Sequence, residues 1–198
     1  VLTNVGLAHL GMFGNDDELL AAKGEFVSNL PSAASLIYDA DSERARLVVA
    51  RHIGSRRRIA VSREAGADAR VLNVVQRADG YRFALKSGDA LLDIPVPCFG
   101  RYNVANAALA ARAALEFGLA PETVAARFAT FAPYALRSQI LEVGGVRLIA
   151  DCYNASPDSM LAAIESLAEA PCSGRRFAVV GDMLELGEAS EDLHERAG

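Results

Sequence analysis

The sequence predicts an α/β protein in two parts, the first built on a mostly parallel sheet and the second on a shorter, Rossmann-like segment. Strand-length apolar runs alternate with stretches of helical spacing over residues 1–61, which is typical of a parallel sheet covered by helices. A β-rich segment with alternating apolar residues follows at 70–97. The continuous apolar run 176–180 indicates a buried parallel strand in the second part.

The elements of the first part follow from local signals in the chain. Ser42 can cap a helix because its hydroxyl accepts a hydrogen bond from a first-turn amide, and Pro121 suits the first turn of another helix. Gly80 and Gly88 mark hairpin turns inside the β-rich segment. We expect strands at 1–5, 34–38, 58–61 and two or three within 70–97, and helices at 16–30, 42–51, 103–117 and 121–131.

The second part follows a linker at 132–134, so we predict two domains, 1–134 and 135–198. Its predicted order is that of an incomplete βαβ unit. Because the chain opens on Val1 without a Met and stops just after a helix begins, we expect it to be a piece of a longer protein. The expected elements are a hairpin (138–143 and 146–151) around Gly144 and Gly145, a helix at 158–170, the strand at 176–180 and a helix from 191.

The composition of the chain argues against several classes of protein. The net charge of −5 offers no basic footprint for nucleic acid, and no apolar run approaches the roughly 18 residues that a membrane helix needs. Three cysteines at irregular spacing form neither a disulfide framework nor a zinc pattern, and they indicate free thiols in a reducing compartment. We expect a cytoplasmic monomer with no nucleic-acid partner and no membrane span.

Polar residues follow several predicted strands, which is where open α/β sheets bind their ligands. The sequence has neither a G-x-x-x-x-G-K-[ST] phosphate loop nor a G-x-G-x-x-G fingerprint, so the residues alone leave the chemistry open. The candidate loops are 4–9, 39–41, 151–154 and 181–185.

Four side chains have both a structural and a functional interpretation. His9 is either a structural histidine or a metal ligand, and Lys23 is either a surface lysine or a buried, modified one. Asn103 is either a helix N-cap or a partner of Asn106, which lies one turn further along the same helix face. Such an amide pair can read the edge of a nucleobase.

Five sequence blocks carry a resemblance to a known family. In their order along the chain they resemble the Mur ligases, the bacterial ATP-dependent amide ligases that build the cell-wall precursor. The first three blocks resemble the central ATP-binding domain of that family and the last two its C-terminal domain. The last two are most similar to those of the member that adds D-alanyl-D-alanine. The blocks are 3–10, 21–26, 100–107, 151–160 and 181–187, the last followed by Ser190 and His194.

The resemblance implies ATP and Mg²⁺ as cofactors. His9 matches a histidine that helps to hold a magnesium ion, and Lys23 matches a lysine that is carbamylated in related ligases. A carbamate is anionic and offers the hard oxygen ligands that Mg²⁺ takes. Asn103 and Asn106 match a pair that contacts the adenine.

Further roles are implied for residues at and after the linker. Arg137 matches an arginine placed near the phosphates, and Asp151 matches an acid that contacts the ribose. Tyr153 and Asn154 share the loop of Asp151, where we expect the incoming amine to bind.

The implied reaction adds D-alanyl-D-alanine to UDP-N-acetylmuramoyl-tripeptide through an acyl phosphate, in peptidoglycan precursor synthesis. The family's phosphate loop lies outside these residues, so we expect no ATP turnover by the chain alone. The sequence departs from the family pattern at Tyr102, Leu136 and Cys152, where His, Gly and Ser are usual. The alternatives are an amide ligase for another amine, of the folate or cyanophycin type, and a degenerate nucleotide-binding module without catalysis.

Overall fold

A computed structural model describes residues 1–6, 13 and 15–198 of the chain. Its helices and strands alternate first and then give way to a run of three strands, as the sequence predicts. The helices are α1 Asp16–Ser28, α2 Glu43–His52, α3 Tyr102–Glu116, α4 Pro121–Ala129, α5 Pro157–Glu169 and α6 Ser190–Ala197. The strands are β1 Ser35–Asp39, β2 Arg57–Ser62, β3 Ala69–Arg77, β4 Gly80–Ser87, β5 Ala90–Val96, β6 Gln139–Val143 and β7 Val146–Ala150.

The strands form two sheets. The larger sheet has the order β1-β2-β3-β4-β5, with parallel pairing from β1 through β3 and antiparallel pairing from β3 through β5. The smaller sheet is the antiparallel hairpin β6-β7, which turns at Gly144 and Gly145 with φ of +57° and +77°. Two consecutive positive φ values are the signature of a tight hairpin turn that glycine favours. The predicted α/β class with a parallel-rich sheet is confirmed.

Side-chain caps begin three of the helices, and that of Ser42 is predicted from the sequence. The Asn15 side chain accepts a hydrogen bond from the Glu18 amide at 2.9 Å, and Ser42 accepts one from Ala45 at 3.3 Å. Ser156 and Ser159 form a capping box at the start of α5. These caps satisfy amides that the first turn of a helix leaves without an internal partner.

Two buried clusters hold the first part together. One packs α3 and the first turn of α4 against β2 to β5, with Phe83, Leu85 and Ile94 almost fully buried. The other packs α1 and α2 against β1, with Leu36 and Val49 in its interior. Burial on this scale contributes about 25 cal/mol for each Å² of apolar surface removed from water, which fixes α3 rigidly on the sheet.

Two predicted strands differ from the structure. Residues 176–180 have no strand pairing among the described residues, and Phe177, Val179 and Val180 are 72%, 98% and 60% exposed. The apolar run is present, but no neighbouring strand pairs with it, and a strand exists only with such a partner. The predicted strand 1–5 is reduced to one parallel bridge between Leu2 and Tyr38. The predicted domain boundary at 134/135 stays a prediction.

No helix in the described part of the chain is long and apolar enough to cross a membrane.

Candidate functional site

The segment after the predicted linker packs against the start of α3, and Ser138 is the residue at which the two meet. Ser138 is buried, and its backbone has a φ of +52°. Its carbonyl accepts a hydrogen bond from the Phe99 amide at 3.1 Å, and its own amide donates to Asp151 Oδ1 at 3.0 Å. Ser138 therefore ties the residues before α3 to the residue that follows β7. We call this contact region the seam, formed by residues 99–106, 136–138 and 151–154.

Tyr102 crosses the seam from α3. Its hydroxyl donates to Asp151 Oδ2 at 2.8 Å and lies 2.6 Å from Ser138 Oγ. Because the phenol has one proton and gives it to Asp151, the Ser138 hydroxyl is the donor in the second contact. Burial, together with the hydrogen bond to Asp151 and its charge, raises the pKa of Tyr102 well above its ordinary value of 10.0, although the Ser138 contact lowers it. The phenol therefore remains a donor across the neutral pH range.

Asp151 is solvent-exposed, yet both of its carboxylate oxygens are engaged at the seam. Its negative charge reaches the buried thiol of Cys98, whose pKa is raised to about 11 by burial first and by Asp151 second. A carboxylate oxygen can accept more than one hydrogen bond, so Asp151 keeps capacity for a further donor on its solvent side. A ribose hydroxyl is such a donor.

The two asparagines of α3 lie beside this network. Asn103 Nδ2 donates to the Phe99 carbonyl at 2.6 Å and contacts Ser138 Oγ at 3.4 Å. Asn106 is exposed and donates to Asn103 Oδ1 at 3.3 Å. The N-cap interpretation of Asn103 is wrong, because α3 begins at Tyr102 and the side chain of Asn103 bonds backwards to Phe99. The adenine-facing role of the pair stays a prediction.

Arg137 and Tyr153 stack on each other at the outer side of the seam. The guanidinium carbon of Arg137 lies 4.0 Å from the centre of the Tyr153 ring, and the Tyr153 amide donates to the Leu136 carbonyl at 3.2 Å. A cation over an aromatic face at this distance is attracted by the ring electrons. The neighbouring Asn154 is exposed and accepts from the Ala155 amide at 3.0 Å. All three side chains remain open to solvent, as a phosphate or amine site requires.

Of the two predicted metal-site residues, only Lys23 lies among the described residues. Lys23 is exposed on α1, and His9 lies outside the described residues. Among the described residues there is no group of three or more His, Cys, Asp or Glu side chains that could hold a metal ion. The carbamate and magnesium roles therefore stay predictions.

A cleft of ≈ 290 Å³ adjoins the seam between α3, α5 and the carboxyl ends of β1 and β2. Tyr102 contributes to both the cleft and the seam, because it lines the cleft while its hydroxyl lies in the seam. On the sheet side, Asp41 accepts hydrogen bonds from Ser62 and Arg63. Burial alone would raise the pKa of Asp41, but these bonds outweigh it and the net pKa is lowered from 3.8. The predicted loop 39–41 thus lines the cleft at the sheet end that the fold class favours.

Sequence reasoning did not assign Tyr102 or Ser138 to the site. Tyr102 could have been found, because it directly precedes the Asn103–Asn106 pair at the start of a helix. Ser138 carries no such signal, since its role depends on a left-handed backbone and on partners 13 and 36 residues away.

The α/β fold with its parallel-rich sheet is that of the Mur ligase domains, and the chain belongs to the Mur ligase family. The model of the Mur ligase middle domain matches residues 1–114, and that of the Mur ligase glutamate ligase domain matches residues 136–198. The resemblance inferred from the five sequence blocks is confirmed.

Within the family, the chain is similar to UDP-N-acetylmuramoyl-tripeptide–D-alanyl-D-alanine ligases. It is 35% identical over 205 residues to that of Mycobacterium tuberculosis, 31% over 199 to that of Bacillus subtilis and 34% over 200 to that of Escherichia coli. Each match covers 100% of this chain and 40%, 42% and 44% of the relative, so the chain spans about two fifths of their length.

Solved structures agree with these relatives. MurF from Acinetobacter baumannii superposes with a TM-score of 0.88 at 26% identity, covering 98% of this chain and 42% of that one. MurF ligase from Thermotoga maritima in complex with ADP superposes with a TM-score of 0.85 at 27% identity, covering 99% and 44%.

Proposed function

We propose that the protein containing this chain is an ATP-dependent amide ligase that adds D-alanyl-D-alanine to UDP-N-acetylmuramoyl-tripeptide in the cytoplasm. One observation carries the proposal: side chains from α3, from residues 136–138 and from the residues after β7 meet at a single seam. Relatives that are 31–35% identical to the chain over the matched residues have this activity in their names, which supports the choice of substrates.

The seam has the chemistry of a nucleotide site. The Asn106 amide is exposed one turn from Asn103 and can pair with an adenine edge, while Asp151 can accept from a ribose hydroxyl. The Arg137 guanidinium is exposed and suits a phosphate, which it can contact through two parallel N–H donors. In this proposal the three groups bind the base, the sugar and the phosphates of ATP in that order.

The reaction then joins a carboxylate to an amine. ATP supplies the phosphoryl group that converts the tripeptide carboxylate to an acyl phosphate, and the amine of D-alanyl-D-alanine displaces phosphate from it. The chain's own contribution is to position the groups, to neutralise charge and to exclude water from the acyl phosphate. Tyr153 and Asn154 lie beside Arg137 at the seam and are proposed to face the incoming amine.

Magnesium enters the proposal through Lys23 and His9. Lys23, as a carbamate, and His9 are proposed as ligands, because both offer donors that a cation takes when the lysine has become anionic. The described residues alone form no such site, so no step is assigned to the metal.

The test is phosphate release by the full-length protein with ATP, Mg²⁺ and UDP-N-acetylmuramoyl-tripeptide. We expect release that depends on D-alanyl-D-alanine, and none from the 198-residue chain assayed alone. Release with single amino acids but not with the dipeptide would keep the ligase chemistry and refute the substrate. No release with any amine would refute the ligase and favour a nucleotide-binding module without catalysis.

A further inference from the structure

We propose that Tyr102 is a positioning residue: its hydroxyl holds Asp151 and Asn103 in register across the seam, so that both meet the same nucleotide. This inference rests on the proposed nucleotide-binding function and extends it to a residue that is not itself expected to touch the ligand.

The Tyr102 hydroxyl is shared between both sides of the seam. It donates its one proton to Asp151 Oδ2 at 2.8 Å and accepts from Ser138 Oγ at 2.6 Å. The donor is on α3, which packs on the sheet in the main core, whereas the two partners lie directly before β6 and directly after β7. The hydroxyl thereby links residues 138 and 151 to the helix that packs on the sheet.

The same bonds connect the two nucleotide-facing groups. Ser138 Oγ lies 3.4 Å from Asn103 Nδ2, so Asp151, Tyr102, Ser138 and Asn103 form one continuous chain of contacts. Asp151 is exposed, and Oδ2 would exchange the phenol for water if the hydroxyl were absent. The Asp151 carboxylate would then keep only the hydrogen bond from the Ser138 amide at 3.0 Å, and its orientation would no longer be fixed.

Three variants separate a donor role from a packing role. Tyr102→Phe keeps the ring and removes the hydroxyl, whereas Tyr102→His changes the shape but restores an N–H donor. Tyr81→Phe is the control, because Tyr81 is a buried tyrosine of the first part whose hydroxyl has no hydrogen-bond partner among the described residues. Each variant is made in the 198-residue chain and in the full-length protein.

Two readouts are measured on each variant: hydrogen exchange at the Ser138 amide and the dissociation constant for ADP. A hydrogen bond to a charged group is worth enough to change an equilibrium by about tenfold or more when it is lost. We expect Tyr102→Phe to speed exchange at Ser138 and to weaken ADP binding by about tenfold. Tyr102→His should lie between Tyr102→Phe and the parent protein, and Tyr81→Phe should match the parent protein in both readouts.

The reverse ranking of the two Tyr102 variants would refute the proposal. If Tyr102→Phe behaves like the parent protein while Tyr102→His is impaired, the side chain serves packing and the positioning role is refuted. Weaker ADP binding with unchanged exchange at Ser138 also refutes it, because the hydroxyl would then act on the ligand directly. If the full-length parent protein binds no ADP at all, the proposed function fails, while the exchange measurement still decides whether the hydroxyl holds Asp151.

Discussion

Replacing Gly24 with alanine tests the close packing of α1 on α2, the helix pair that places Lys23. A Cβ atom at Gly24 would lie 2.3 Å from Nε2 and 2.4 Å from Cδ2 of His52, far inside contact distance. The ring of His52 is held in place by a contact of 3.0 Å between its Nδ1 and Ser28 Oγ. The added methyl group therefore forces the ring to move and to give up that contact.

Gly24→Ala changes the free energy of unfolding through opposing contributions. Alanine favours a helix over glycine by about 1 kcal/mol, whereas overpacking costs about 1–3 kcal/mol and the lost hydrogen bond about 1 kcal/mol. We expect Gly24→Ala to lower the free energy of unfolding by about 1–3 kcal/mol, measured by urea denaturation with circular dichroism. In a His52→Ala background the clash is absent, so the same change should stabilise by up to about 1 kcal/mol. If Gly24→Ala stabilises the chain in both backgrounds, the packing argument is refuted.

Three further outcomes are expected. Leu136 has a φ of +63°, so Leu136→Gly should raise the free energy of unfolding by up to about 1 kcal/mol and Leu136→Ala, which keeps a Cβ, should not. A thiol reagent at pH 8 should label two of the three cysteines of the native chain, and Cys98 only after denaturation, because burial raises its pKa to about 11. Arg63→Ala should destabilise the chain at neutral pH. The folded-state pKa of Asp41 lies below its ordinary value of 3.8, so the ion pair contributes fully to stability above pH 3.8. The difference in the free energy of unfolding between the variant and the parent protein should therefore vanish as the pH falls through the folded-state pKa. Equal pH profiles of unfolding for the two proteins would contradict this.

The elements that the sequence predicts well are those whose ends carry their own signals. Ser42 caps α2 and Pro121 opens α4, as predicted from the residues alone. The run 176–180 is different, because its apolar composition is compatible with a strand while pairing depends on a neighbour elsewhere in the chain. Composition reports what a segment can bury, and only tertiary structure supplies the partner that makes it a strand.

The candidate site could be predicted only in part for the same reason. Asn103 and Asn106 share a helix face, so their proximity follows from helical periodicity. The bonds from Tyr102 to Ser138 and Asp151 span 36 and 49 residues, and no local pattern encodes them. The resemblance located single site residues, but the network that joins them comes from the packing of residues 136–138 on α3.

The position of Arg137 illustrates how that packing serves the site. Leu136 and Ser138 on either side of it both have left-handed backbones, with φ of +63° and +52°, which residues other than glycine adopt only when their surroundings hold them there. Ser138 is held by bonds to Phe99, Tyr102 and Asp151, and Leu136 by the amide of Tyr153. The guanidinium is thus aimed across the Tyr153 ring by backbone constraints on both sides, and its own side chain makes no ion pair in the described part of the chain that would have to break before a phosphate bound. The Arg137 guanidinium can therefore leave the Tyr153 ring and bind a phosphate without first breaking an ion pair, as its proposed role requires.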